Sequence, residues 1–133
     1  ASFIQAFSKI GLIPDSGGTF FLPKLIGFQK ASALMMMGDK VSATDAEQLG
    51  MLYKVFSTEE FEVESMKIAQ TIAKMPTMGL VYTKKLLNEG LTNNLTEQLD
   101  QEEIYQSKAG KTMDYKEGVQ AFLEKRKPEF VGR

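Results

Sequence analysis

The spacing of apolar and polar positions changes character along this chain. Residues 1–7 (ASFIQAF) alternate with the two-residue period of a half-buried strand and predict one. The stretch from Gly11 to Gly18 then gathers Pro14, Asp15, Ser16 and Gly17, a dense set of turn formers. Residues 19–26 (TFFLPKLI) predict a short apolar helix or turn ended by Gly27, and residues 28–37 a helix rich in Ala, Leu and Met, stopped by Gly38. Strand signals return around Val41 and over residues 51–56 (MLYKVF). Between them, Ser42-Ala43-Thr44-Asp45 has the form of a capped helix start, with Gly50 as the stop.

Beyond this point the period becomes helical. Ser57 and Glu60 form a second capping pair, opening an amphipathic helix to about Met75. Its face Phe61, Ser65, Ile68, Ala69 and Ile72 keeps the three-to-four spacing of a buried stripe, and Pro76 breaks it. Three further helices are predicted at 78–89, 95–109 and about 114–125, jointed at Gly90–Asn94 and Gly110–Thr112. Strand signals are confined to the first part and helices fill the rest.

Composition narrows the chemistry. The 133 residues, 43% of them hydrophobic, suit one domain with a packed core. Sixteen basic against 17 acidic residues give no general electrostatic reason to expect nucleic acid. With no cysteine and no histidine, thiolate chemistry and the commonest metal ligand and general base are excluded, so no metal site is expected. Acid–base work falls to carboxylates, Lys, Tyr or water. No apolar run approaches the roughly 20 residues of a membrane span, and no secretory signal is visible, so a cytoplasmic location without membrane contact is the expectation. The opening strand has no preceding turn and no obvious partner, which reads as a chain beginning in mid-fold.

One segment stands out as candidate chemistry, Ile13-Pro14-Asp15-Ser16-Gly17-Gly18-Thr19. Its plain reading is a turn in which Asp15 or Ser16 caps the following helix. It is not a phosphate loop, because no Lys follows the glycines as the Walker pattern requires and GxGxxG is not matched. The functional reading comes from the apolar company of Asp15, namely Phe7, Ile10, Leu12, Ile13, Phe20 and Phe21. A helix N-terminus favours a charged carboxylate by only about 0.3–1 kcal/mol, and enclosure in an apolar pocket favours the neutral form by considerably more. An enclosed aspartate is therefore suited to proton transfer.

The runs SFIQAFSKIGLIPDSGGTFFLPKLIG and ASALMMMGDKVSATDAEQLGMLYKVF, with the ending DYKEGVQAFLEKRKPEFVGR, resemble the crotonase (enoyl-CoA hydratase/isomerase) superfamily in motif order along the whole chain. The resemblance covers the second half of that family's fold. It implies an α/β, crotonase-like architecture, with a ββα spiral remnant carrying the catalytic loop over 1–56 and a helical oligomerisation and CoA-contacting region over 57–133. The run AFSKIGLIPDSGGT looks most like the branch acting on the ring epoxide of phenylacetyl-CoA. In that branch an aspartate, here Asp15, moves a proton or assists C–O rearrangement of the thioester-conjugated ring. Hydratases carry a glutamate where this chain has Phe7, a substrate-facing position at which a phenyl ring is neither acid nor base. Phe122 and Lys125 fall where relatives hold the adenine and phosphate of coenzyme A, a flat ring for the base and an ammonium for the anion. Read without the resemblance, Phe122 is a core residue and Lys125-Arg126-Lys127 a solvated helix end.

The resemblance further implies an acyl-CoA substrate, no other cofactor, and a homotrimer or hexamer. It places the two backbone donors of the oxyanion hole in the other half of the fold, so this chain alone is expected to be inactive. Two alternatives stand beside the isomerase, an enoyl-CoA hydratase of fatty-acid oxidation and a non-catalytic helical assembly piece.

Overall fold

The structure, a computed structural model, describes residues 1–133. In chain order it contains β1 (Ser2–Ile4), a 3-10 turn (Ala6–Ile10), α1 (Gly18–Ile26), α2 (Phe28–Met37), β2 (Lys40–Ser42) and α3 (Ala43–Gln48). There follow α4 (Thr58–Ala73), α5 (Thr77–Glu89), α6 (Leu95–Ala109) and α7 (Met113–Glu124). The chain divides into two compact units, Ala1–Phe61 and Glu62–Arg133.

In the first unit, β1 and β2 pair antiparallel with Phe3 opposite Val41. The opening strand is thus shorter than its alternation predicts and does have a partner. From Ala6 the chain coils into the 3-10 turn, which ends at Gly11 with its N–H on the carbonyls of Phe7 and Ser8. No strand forms at residues 51–56. There the Met51 and Leu52 N–H groups turn back to the Ala46 carbonyl, at 2.8 and 3.4 Å. β-propensity alone does not make a strand without a neighbouring ladder.

Helix starts follow the side-chain caps. Ser42 Oγ accepts from the Asp45 N–H at 3.0 Å and donates to its carboxylate at 2.5 Å. Ser57 and Glu60 repeat the arrangement at the head of α4. The apolar face assigned to α4 is not buried, and Phe61 and Ile72 are 62% and 54% exposed. Buried apolar side chains of the first unit are Leu22, Ala31, Val41 and Ala46.

The second unit is ordered by polar ties as much as by burial. Asn94 and Glu97 form a reciprocal capping box on α6. Gln98 binds back to the Leu86 carbonyl of α5 at 3.2 Å and takes a bond from the Asn93 amide at 3.0 Å. Tyr82 and Tyr105 pack with ring centroids 5.2 Å apart. Thr112 caps α7 by accepting from the Tyr115 N–H at 3.1 Å. The residues beyond α7 then fold back along it. No helix is long and apolar enough to cross a membrane.

Gly38 shows how closely the first unit is packed at a chain reversal. Its φ is +64°, and a Cβ there would lie 2.9 Å from Lys9 Cε and 3.3 Å from the Gln5 carbonyl oxygen. Gly11 has a φ of +75° with nothing within 4 Å of such a Cβ. Left-handed backbone costs an L-residue about 1–2 kcal/mol at either position. Gly38→Ala is therefore expected to destabilise the chain by ~1 kcal/mol more than Gly11→Ala, the excess being overpacking. Urea unfolding of both variants measures this, and equal losses would show that Lys9 and Gln5 yield freely.

Candidate functional site

Asp15 lies in the turn between the 3-10 segment and α1. Its carbonyl accepts from the Gly18 N–H at 2.8 Å, and the Gly17 carbonyl accepts from Phe20 and Phe21 at 3.0 and 2.9 Å. Ser16 and Gly17 are both left-handed, with φ of 52° and 79°. These two successive reversals place Gly17, not Asp15 or Ser16, at the N-cap of α1, where no side-chain cap bond is made. The capping role expected of Asp15 or Ser16 is therefore corrected. A serine in this region carries about 1–2 kcal/mol of backbone strain, a feature that clusters at functional sites.

The enclosure that the apolar neighbours of Asp15 would allow is not formed within this chain. Asp15 is exposed, and Ile10, Leu12 and Ile13 are 74%, 58% and 80% exposed. Phe20 and Phe21 pack against each other edge to face at 5.0 Å, with the Lys24 ammonium 3.5 Å from the Phe20 ring centre. The rings engage their own neighbours and leave the carboxylate in the open. Phe7 is half-buried, and its carbonyl takes the Leu12 N–H at 2.9 Å, which ties the 3-10 segment to the foot of the Asp15 loop. The structure thus holds Phe7 and Asp15 on one loop system of the first unit.

Phe122 and Lys125 belong to the second unit. Phe122 is 81% exposed, so it is not a core residue. With Tyr115, Val119, Leu123, Pro76 and Phe130 it lines an apolar groove of about 890 Å³. Lys125 caps α7 in the left-handed conformation, φ 55°, where a helix ordinarily ends on glycine. Its N–H reaches the Phe122 carbonyl at 3.2 Å, and the Arg126 N–H reaches that of Ala121 at 3.0 Å.

The residue beside it is an exposed but ion-paired cation. Arg126 forks onto Glu117, with Nη1–Oε1 2.6 Å and Nη2–Oε2 2.9 Å, and its Nε bonds Glu124 at 2.6 Å. The Glu129 N–H adds a bond to Glu117 at 2.8 Å. Hydrogen bonds from Arg126 foremost, then from the Glu129 amide, draw the Glu117 carboxyl down to about 2, and the Arg126 guanidinium is held well above its usual range. Further along, the buried Asp114 carboxylate accepts from the Val131 N–H at 2.7 Å and the Gly132 N–H at 3.0 Å, while its own N–H donates to the Arg133 carbonyl at 3.1 Å. The sequence assigns no role to Asp114 or Glu117 and shows Arg126 only as part of a basic helix end. Apart from the bonds of Arg126 to Glu124 and Lys127, their side-chain partners lie 9–18 residues away, and the available signal was two acids on one face of α7 followed by a basic, proline-containing tail. No cluster of three or more His, Cys, Asp or Glu is placed to hold a metal ion.

With this geometry in view, the sequence pattern described as Enoyl-CoA hydratase/isomerase matches residues 1–133, and the chain belongs to that family. It is 44% identical over its full 133 residues to a 1,2-epoxyphenylacetyl-CoA isomerase of Escherichia coli, covering 51% of that protein. It is 39% identical over 133 residues to a probable enoyl-CoA hydratase of Rhodobacter capsulatus, covering 52% of it. A crystal structure from Geobacillus kaustophilus, described as an enoyl-CoA hydratase subunit I, superposes with a TM-score of 0.94 at 36% identity, covering all of this chain and 52% of that one. The fold is crotonase-like, and the chain spans about half the length of the curated relatives it matches.

The Glu117 clamp has a defined pH window. Its folded value of about 2 lies below the ordinary 4.5, so its contribution is complete above that ordinary value and is lost as the pH falls through about 2. In an NMR titration the Glu117 carboxyl and the Glu129 amide are expected to move together, with a midpoint near 2. A Glu117 midpoint near the ordinary 4.5 would show that the fork does not persist in solution.

Proposed function

We propose that this chain supplies the acid–base residue of an acyl-CoA isomerase related to the enzymes acting on the ring epoxide of phenylacetyl-CoA. The observation that carries the reading is the Asp15 turn, where Gly17 occupies the cap of α1 and leaves the Asp15 carboxylate uncommitted to the helix. Asp15 takes a proton from one carbon of the thioester-conjugated system and returns it at another, so the substrate is rearranged with no net change in composition. The enolate formed between these steps needs two backbone N–H donors, which the family resemblance places outside this chain; losing one such donor typically costs about 2.7–4 kcal/mol. Phe7 lines the acyl site without proton chemistry. Phe122 receives the adenine ring and Lys125 a phosphate of coenzyme A. Assembly as a homotrimer or hexamer, and action in the cytoplasm on a coenzyme A thioester without a further cofactor, complete the reading.

A hydratase is the second reading, supported by the name of the Rhodobacter capsulatus relative. Addition of water in this family draws on two carboxylates, and Phe7 cannot act as one of them. The test uses a protein of the relatives' full length that carries this sequence, assayed for isomerisation and for hydration. Asp15→Asn is expected to lower the isomerisation kcat by about 10²–10⁴ with KM for the thioester unchanged. Near-normal turnover of the Asn variant would remove Asp15 from the mechanism. Water addition as the main reaction would move the assignment to the hydratases, and turnover of neither substrate would favour the non-catalytic assembly piece.

A further inference from the structure

Two residues other than glycine adopt positive φ in this chain, Ser16 beside the candidate acid–base group and Lys125 at the end of α7. Lysine has no side-chain carbonyl with which to support a left-handed backbone, as asparagine has, so its conformation at the cap is imposed from outside. The source is visible on both sides of it. Before Lys125, the Glu117 and Glu124 carboxylates of α7 hold the Arg126 side chain. After it, the Arg126 N–H is fixed on the Ala121 carbonyl and the Glu129 N–H on Glu117. One carboxylate therefore gathers the guanidinium immediately after Lys125 and the backbone four residues further on. The ion pairs of this segment converge on Arg126, whose charge is engaged by two acids and which is thereby unsuited to bind an anion itself.

We propose that the Glu117–Arg126 pair is a positioning device for Lys125, locking the left-handed cap from which the lysine meets a phosphate of the thioester carrier. This deepens the assignment of Lys125 above and rests on it. Neither Glu117 nor Arg126 touches the carrier, and they act through the backbone at 125.

The test is a double-mutant cycle in the full-length protein, with Lys125→Ala, Glu117→Gln and the pair combined. Each is assayed with a coenzyme A thioester and with the pantetheine thioester of the same acyl group, which lacks the nucleotide phosphates. With the coenzyme A thioester, each single variant is expected to raise KM about fivefold to tenfold and leave kcat within about a factor of two, and Glu117→Gln should add nothing once Lys125 is gone. Arg126→Lys, which keeps the charge but not the fork, should fall between wild type and Glu117→Gln. With the pantetheine thioester all variants should match wild type. Multiplying effects in the double variant, or a loss confined to kcat, would overturn the positioning role. An unchanged KM in Lys125→Ala would instead defeat the assignment of Lys125, leaving the case for Asp15 untouched.

Discussion

Reversal of the backbone at residues of positive φ sets where the Asp15 and Lys125 side chains are presented. Ser16 and Gly17 turn the chain between Asp15 and α1, and without two such residues in succession Asp15 would fall closer to the N-cap and serve the helix. Lys125 performs the corresponding reversal at the other end of the sequence, and the segment that follows it runs back along α7. The strain at Ser16 is local and short-ranged. Around Lys125 stand a salt-bridged fork and, further on, part-buried bonds from the Val131 and Gly132 amides to Asp114. The two units thus solve the same steric problem differently, one with a glycine-rich turn and one with charge.

Burial is unevenly supplied. In the first unit four apolar side chains are buried, and two of them are alanines that let elements approach rather than fill volume. Phe3, Ile4, Leu12, Phe21, Leu25 and Phe28 remain open to solvent. The chain spans about half the length of the relatives it matches. Helices α5 to α7 carry a polar network of their own, and they too leave Leu87, Leu95, Phe122 and Leu123 open to solvent.

The features legible in the sequence were those whose cause is local. Ser42, Ser57, Gly27 and Gly38 mark helix ends through bonds spanning three or four residues, and the helices stand where these signals place them. Apolar neighbours single out Asp15 in the sequence, but whether they enclose it is not legible there, because neighbours in sequence need not fold over a side chain. The run at 51–56 failed for a related reason, since a strand exists only with a partner and these residues bond back to Ala46. The Asp114 and Glu117 contacts were invisible because each ties an ordinary helix acid to the distant tail, Asp114 through backbone amides and Glu117 through the Arg126 guanidinium and the Glu129 amide. Family resemblance supplied the architecture, whereas the polar fastening of the C-terminal segment emerged only from the structure.

The absence of histidine makes environment decisive for the chemistry proposed here. A carboxylate becomes an effective proton shuttle when water is withdrawn from it, because desolvation strengthens its hold on a proton. Ile10, Leu12 and Ile13 are among the apolar neighbours of Asp15 in sequence, and in this chain all three face solvent. Their exposure separates two properties that a single aspartate is often asked to combine. The turn at Ser16 and Gly17 frees the carboxylate and fixes its place on the backbone, and this is written into the chain itself. The dry surroundings that would tune it depend on whatever surface covers that apolar loop. On the proposed reading, reactivity at Asp15 is therefore a property of the assembled enzyme, with geometry contributed by one part and dielectric by another.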